Sequence, residues 1–218
     1  MRVRFFKFKG RYVYKAWWNF FAIVCDTFGR VELCGYENVP QTPCILIGNH
    51  VSFLDPTAMG FYHETALCAV ARDTLMNGRF TGPLFRKLNA IPVKRGDSGN
   101  LSTFREVLRR VGEGASVIIF PEGTRSPDGR LQRGKAGAGL IAIKAGIPIL
   151  PVRSFGFEEV LPRSNALRGG RRIVLCAGAA VEPSQIDPGK DSPDRAQIIV
   201  DAIMERLAQI KPPRVREV

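Results

Sequence analysis

The sequence predicts an α/β fold: a single domain with a largely parallel central sheet flanked by helices, preceded by an N-terminal amphipathic helix. Three observations predict it. Short apolar runs alternate with amphipathic ones along the chain, and alternating strands and helices build a mostly parallel sheet. The length of 218 residues suits one domain, which at that size buries roughly 70% of the surface its unfolded chain exposes. The two stretches richest in chemistry directly follow apolar runs, and in open parallel sheets sites form beyond the carboxyl ends of strands.

The first element is the N-terminal helix. Arg2, Arg4, Lys7, Lys9, Arg11 and Lys15 crowd the start, and the run Trp17 to Cys25 is apolar except for Asn19. That run falls well short of the roughly 20 residues that span a bilayer. Asp26 and Arg30 follow it without an Ala-x-Ala site, which argues against a cleaved signal peptide. Lys15, Asn19, Ala22 and Asp26 share one helical face, with Val13, Trp17, Phe20, Phe21, Val24 and Phe28 mainly opposite. Aromatics below and cations above suit a helix lying in the headgroup plane of a membrane. A helix that packs its aromatics onto the domain has the same periodicity. These features place a basic, aromatic membrane-interface segment at 1–32 and the globular domain at 33–218.

Within the domain, Cys44 to Gly48, Ala66 to Ala71, Ala90 to Val93, Ser116 to Phe120, Pro148 to Val152 and Arg172 to Ala177 are short, apolar and bounded by turn residues, so they read as buried strands. Pro56 to Glu64, Arg79 to Leu88, Ser102 to Val111, Lys135 to Ala145 and Ser192 to Gln209 read as helices. The formal net charge of +12 points to a polyanionic partner: nucleic acid, acidic substrate or anionic lipid. Five cysteines at irregular spacing, with no C-x-x-C, argue against a disulfide framework and for a reducing, cytosolic setting. His50 and His63 are the only histidines, and neither joins a cysteine cluster, so no metal site is expected.

His50 stands just past the CILIG run, with Asp55 five residues later. Asp55-Pro56 reads as a helix start, with Asp as N-cap and Pro in first helical position. A loop of this length can also fold the carboxylate onto the imidazole, leaving the other ring nitrogen to take a proton. Downstream, the run SVIIF enters Pro121-Glu122-Gly123-Thr124-Arg125-Ser126. Pro121 stops the strand, Gly123 lets backbone approach a ligand, and Arg125 offers a planar fork suited to phosphate. Glu122 can orient a hydroxyl or brace an arginine; a plain polar turn with Arg125 paired to Glu122 is the alternative. Lys94 and Arg95 place two cations after another strand, to hold a phosphate or to sit in solvent. Gly129 to Lys135 has the spacing of a phosphate loop, but Ala136 stands where Ser or Thr should hold magnesium. Lys135, at a helix start, could still meet an anion.

Taken together, these residues resemble the lysophosphatidic acid acyltransferase (1-acyl-sn-glycerol-3-phosphate acyltransferase, glycerolipid acyltransferase) family. Its H-x4-D block appears as His50 to Asp55, and its F-P-E-G-T-R-S block is unbroken at Phe120 to Ser126. Its second and fourth blocks resemble Ile91 to Arg95 and Ile147 to Val152, and the likeness extends over roughly Val39 to Val181. Pro92 and Lys94 depart from the usual second block, which leaves acceptor choice open. The resemblance implies that His50 is the base for an acceptor hydroxyl and that Asp55 orients it. It further implies that Arg95 and Arg125 bind acceptor phosphate while Glu122 and Gly123 shape that site; Lys94 and Thr124, adjacent to them in sequence, are expected among the substrate-binding residues. It implies transfer of a fatty acyl group from acyl-CoA or acyl carrier protein to a lysophospholipid, most simply 1-acylglycerol-3-phosphate, giving phosphatidic acid. No cofactor, no metal and no nucleic acid are expected. The expected setting is the cytoplasmic face of the cell membrane, against an anionic surface. An esterase is disfavoured because no G-x-S-x-G elbow is present.

Overall fold

The computed structural model describes residues 12–62, 67–79, 81–93, 101–161 and 171–213. Its elements in order are α1 (Tyr12–Phe28), β1 (Gly29–Cys34), β2 (Ile45–Gly48), α2 (Asp55–Met59), β3 (Leu67–Arg72), α3 (Asp73–Met76), α4 (Thr81–Lys87), β4 (Ile91–Val93), α5 (Leu101–Gly112), β5 (Ser116–Ile119), α6 (Ala136–Ala145), β6 (Ile149–Phe155), α7 (Phe157–Val160), β7 (Arg171–Ala177) and α8 (Arg195–Gln209). The seven strands form one sheet in the order β1-β7-β6-β2-β5-β3-β4. β2 lies centrally, parallel to β5 and β6, and β3 and β4 continue the parallel run. β7 pairs antiparallel to β6, and β1 runs parallel to β7. Five strands therefore point one way and the outer pair the other, which qualifies the expected parallel sheet only at that edge.

Continuous apolar runs became central strands because both sheet faces are covered. Leu46 of β2 packs on one side among Phe61, Leu150, Phe157 and Leu175. Its neighbours Ile45 and Ile47 pack on the other, with Ala142 of α6 and Ile199, Ile203 and Leu207 of α8. α6 and α8 touch so closely that a Cβ on Gly139 would lie 1.9 Å from the Ala196 carbonyl oxygen. Strand β1, absent from the strands expected, alternates: Val31 and Leu33 are buried. It begins at Gly29, so it straddles the boundary expected between 32 and 33.

α1 departs from the expected division of faces. Phe21 and Ala22 are buried, and Phe21 stacks on Phe61 with ring centroids 5.7 Å apart. The exposed stripe is Ala16, Phe20, Ile23 and Thr27, at helical spacing. One apolar face thus serves the core while Phe20 and Ile23 remain outside, 59% and 53% exposed. No described helix is long and apolar enough to cross a membrane. The cysteine expectation needs correction too. Cys34 and Cys176, register partners on β1 and β7, form a disulfide with Cα atoms 4.6 Å apart. Counting cysteines could not reveal it, because the sheet alone brings together residues 142 apart.

Candidate active site

β2 and β5 are parallel neighbours, so their carboxyl ends open on the same edge of the sheet. Asn49, the first residue past β2, anchors the loop there. Its side-chain amide donates to the Ser154 carbonyl at 3.0 Å and accepts from the Ser154 N–H at 2.8 Å. An amide can serve both roles, so Asn49 prolongs the β2–β6 pairing by one side chain.

His50 follows, and its Nδ1 lies 2.9 Å from Asp55 Oδ2. The same oxygen accepts the N–H groups of Val51 and Ser52, each at 2.7 Å. The Ser154 hydroxyl reaches Oδ1 at 3.3 Å. Asp55 is fully buried, and a buried carboxylate must find such donors. It does not cap the helix as the sequence suggested. Leu54 is the N-cap of α2, no side chain caps it, and Asp55 is the first helical residue. The carboxylate turns back to the two loop N–H groups instead. Because Oδ2 is an acceptor throughout, Nδ1 of His50 is the donor, and in the neutral ring the lone pair is then on Nε2. The ring stacks on Phe120, centroids 4.3 Å apart and 20° from parallel.

The second motif closes on the first. Ser126 N–H donates to the His50 carbonyl at 2.7 Å, and the Arg125 guanidinium lies over the Phe53 ring at 4.0 Å. The loop after β2 and a turn from about 70 residues later therefore meet at one end of the sheet. Glu122 is buried, and neither carboxylate oxygen makes a hydrogen bond, so it braces no arginine. Burial pushes its carboxyl up to about 7, against the pull of the facing backbone groups of Gln132 and His50. Gly123 sits at φ 70°, a conformation that glycine adopts freely. The space where its Cβ would stand is taken by the Lys135 side chain. Thr124 is half-buried on the same turn. β4 is parallel to β3 and ends at Val93 on this sheet edge; Lys94 and Arg95 lie outside the described residues.

Sequence reasoning missed the support around these groups. Ser154 had no local signal, and Phe53 and Phe120 read only as apolar neighbours. Glu158 of α7 is a further acid at this end of the sheet. Desolvation chiefly raises its carboxyl pKa, with the Asp55 charge pushing the same way. Among the described residues no cluster of three or more His, Cys, Asp or Glu side chains could hold a metal.

The chain is similar to several known acyltransferases. A 1-acyl-sn-glycerol-3-phosphate acyltransferase of Pseudomonas aeruginosa is 29% identical over 94% of this chain and 82% of its own. A chloroplastic 1-acyl-sn-glycerol-3-phosphate acyltransferase of Brassica napus is 34% identical over 63% of this chain and 41% of its own. The chain spans about half the length, or less, of the plant and algal relatives it matches. The crystal structure of the 1-acyl-sn-glycerophosphate acyltransferase of Thermotoga maritima superposes with a TM-score of 0.69 at 26% identity, covering 89% of this chain and 76% of that one. The Acyltransferase family model matches residues 30–154, which hold both motifs, and the chain belongs to that acyltransferase family.

Proposed function

We propose that the protein transfers a fatty acyl group from an acyl thioester to the free hydroxyl of 1-acylglycerol-3-phosphate, giving phosphatidic acid. The observation that carries this reading is the hydrogen bond from His50 Nδ1 to a carboxylate already fixed by two backbone N–H groups. That arrangement orients the ring and leaves Nε2 available as a base. Nε2 takes the acceptor's hydroxyl proton as the oxygen attacks the thioester carbonyl. The tetrahedral adduct then collapses, the C–S bond breaks, and the thiolate recovers the proton from the imidazolium. No acyl-enzyme forms. The base contributes about 10²- to 10⁴-fold, and holding the two substrates together contributes much of the rest.

Arg125 binds the acceptor phosphate with its planar fork, joined by Lys94 and Arg95 after β4. Glu122, whose burial raises its carboxyl pKa to about 7, is protonated in a large share of molecules near neutral pH and can then donate a hydrogen bond to an acceptor oxygen, and Gly123 and Thr124 shape the turn beneath it. The thioester is acyl-CoA or acyl carrier protein, and no cofactor takes part. Phe20 and Ile23, exposed on α1, favour peripheral seating on a membrane at headgroup depth, and the net charge of +12 favours an anionic surface. The test is purified protein with labelled acyl-CoA and 1-acylglycerol-3-phosphate, following thiol release and phosphatidic acid. His50→Ala should remove both signals. Thiol release that persists in that variant defeats the role given to His50, and a wild type that makes no phosphatidic acid defeats the reading.

A further inference from the structure

We propose that Lys135 determines specificity for the acceptor's phosphate, holding one phosphate oxygen beside Arg125. This rests on the acyl-transfer reading above and adds a residue to it. The ground is where the ammonium lies. Lys135 precedes α6, yet its side chain turns back across the turn that carries the second motif. A Cβ built on Gly123 would meet Nζ at 2.9 Å, Cε at 3.3 Å and Cδ at 3.4 Å. The Lys135 backbone N–H donates to the Pro121 carbonyl at 2.9 Å. Backbone and side chain are thus both tied to the 121–123 turn, two residues from Arg125.

Lysine is a poor local choice here. It is the N-cap of α6 and makes no side-chain cap bond, where Ser, Thr, Asp or Asn would satisfy a free N–H. The helix start also carries positive partial charge, which disfavours a cation. A cation placed against that field invites an anion. No described carboxylate supplies one: Lys135 is in none of the ion pairs among the described residues. Glu122 on the same turn makes no hydrogen bond. Lys135 is exposed, and its ammonium lies against a glycine, which brings no side chain of its own to the spot. A phosphate monoester presents three outer oxygens. The Arg125 fork covers two, and a compact ammonium suits the third.

The experiment is steady-state kinetics of the full chain with acyl-CoA and micellar 1-acylglycerol-3-phosphate, on wild type, Lys135→Gln and Lys135→Arg, each checked for folding by thermal melting. Lys135→Gln should raise the acceptor KM about tenfold, the loss of one charge-assisted hydrogen bond, with kcat and the acyl-CoA KM little changed. Lys135→Arg should restore most of the acceptor affinity, which a purely structural role would not require. An unchanged acceptor KM, a raised acyl-CoA KM in its place, or equal impairment in both variants overturns the proposal. A wild type that releases no thiol with this acceptor overturns the acyl-transfer reading and this proposal together. An active wild type matched by Lys135→Gln overturns Lys135 alone.

Discussion

Replacing Glu122 with Gln should stabilise the protein in a way that depends on pH. The side chain is 2% exposed and its two oxygens are without hydrogen bonds, so charge there is costly. Burial moves its pKa from 4.5 to about 7. Below pH 4.5 the carboxyl is protonated in both folded and unfolded chains, and nothing is lost. Between the two values the unfolded chain ionises freely while the folded one resists, so stability falls as pH rises. Above 7 the penalty is constant, at about 3 kcal/mol for a shift of this size. Roughly 2 kcal/mol of it has accumulated by pH 6. Glutamine keeps the shape and never ionises, so the difference between variant and wild type isolates this one group. Urea unfolding of both proteins at pH 4, 6 and 8 measures it. The variant's advantage should be near zero at pH 4 and largest at pH 8, with equal slopes in denaturant. A difference that ignores pH, or one that grows as pH falls, would refute the reasoning.

Three further outcomes are expected. Asp55→Asn should leave the fold intact but lower kcat by about 10²- to 10⁴-fold, because an amide cannot hold His50 in the required tautomer; activity within a few-fold of wild type would dismiss the pair. Ser154→Ala removes a hydroxyl within reach of both Asp55 Oδ1 and Asn49 Oδ1 and should cost about 1 kcal/mol in the unfolding midpoint; an unmoved midpoint would show that the hydroxyl does not support the carboxylate. The double variant Phe20→Ser, Ile23→Ser changes only exposed positions of α1, so its melting should match wild type while its co-sedimentation with anionic vesicles falls at least tenfold, roughly the contribution of one buried apolar side chain. Unchanged sedimentation would mean that α1 is not the membrane contact.

How much was legible depended on how local the cause was. β2 to β7 announced themselves because strands covered on both faces need unbroken apolar stretches. β1 did not, because it starts directly after the aromatic helix and fell largely within the segment assigned to the membrane interface. The reversed direction of β7 has no residue that encodes it; it follows from how the sheet is completed. His50 and Asp55 were found together because they lie five positions apart. Ser154, 99 residues from Asp55, had no signal of its own. The Asp-Pro pair suggested a cap, but Val51 and Ser52 offered the carboxylate two nearer N–H groups, and local geometry won. Lys135 was noticed for a loop spacing, whereas its contact with Gly123 belongs to the folded chain.

The pairing of β1 with β7 joins two stretches made at very different times. On a ribosome the aromatic helix and its strand emerge early, and the strand that must receive them follows more than a hundred residues later. Long-range pairings of this kind close late because loop-closure entropy is paid before contacts reward it. Throughout that wait Phe21 and Trp17 have no core to enter. A lipid surface within reach of the growing chain would therefore meet them before the enzyme exists, and the order of synthesis itself would favour docking first and folding second.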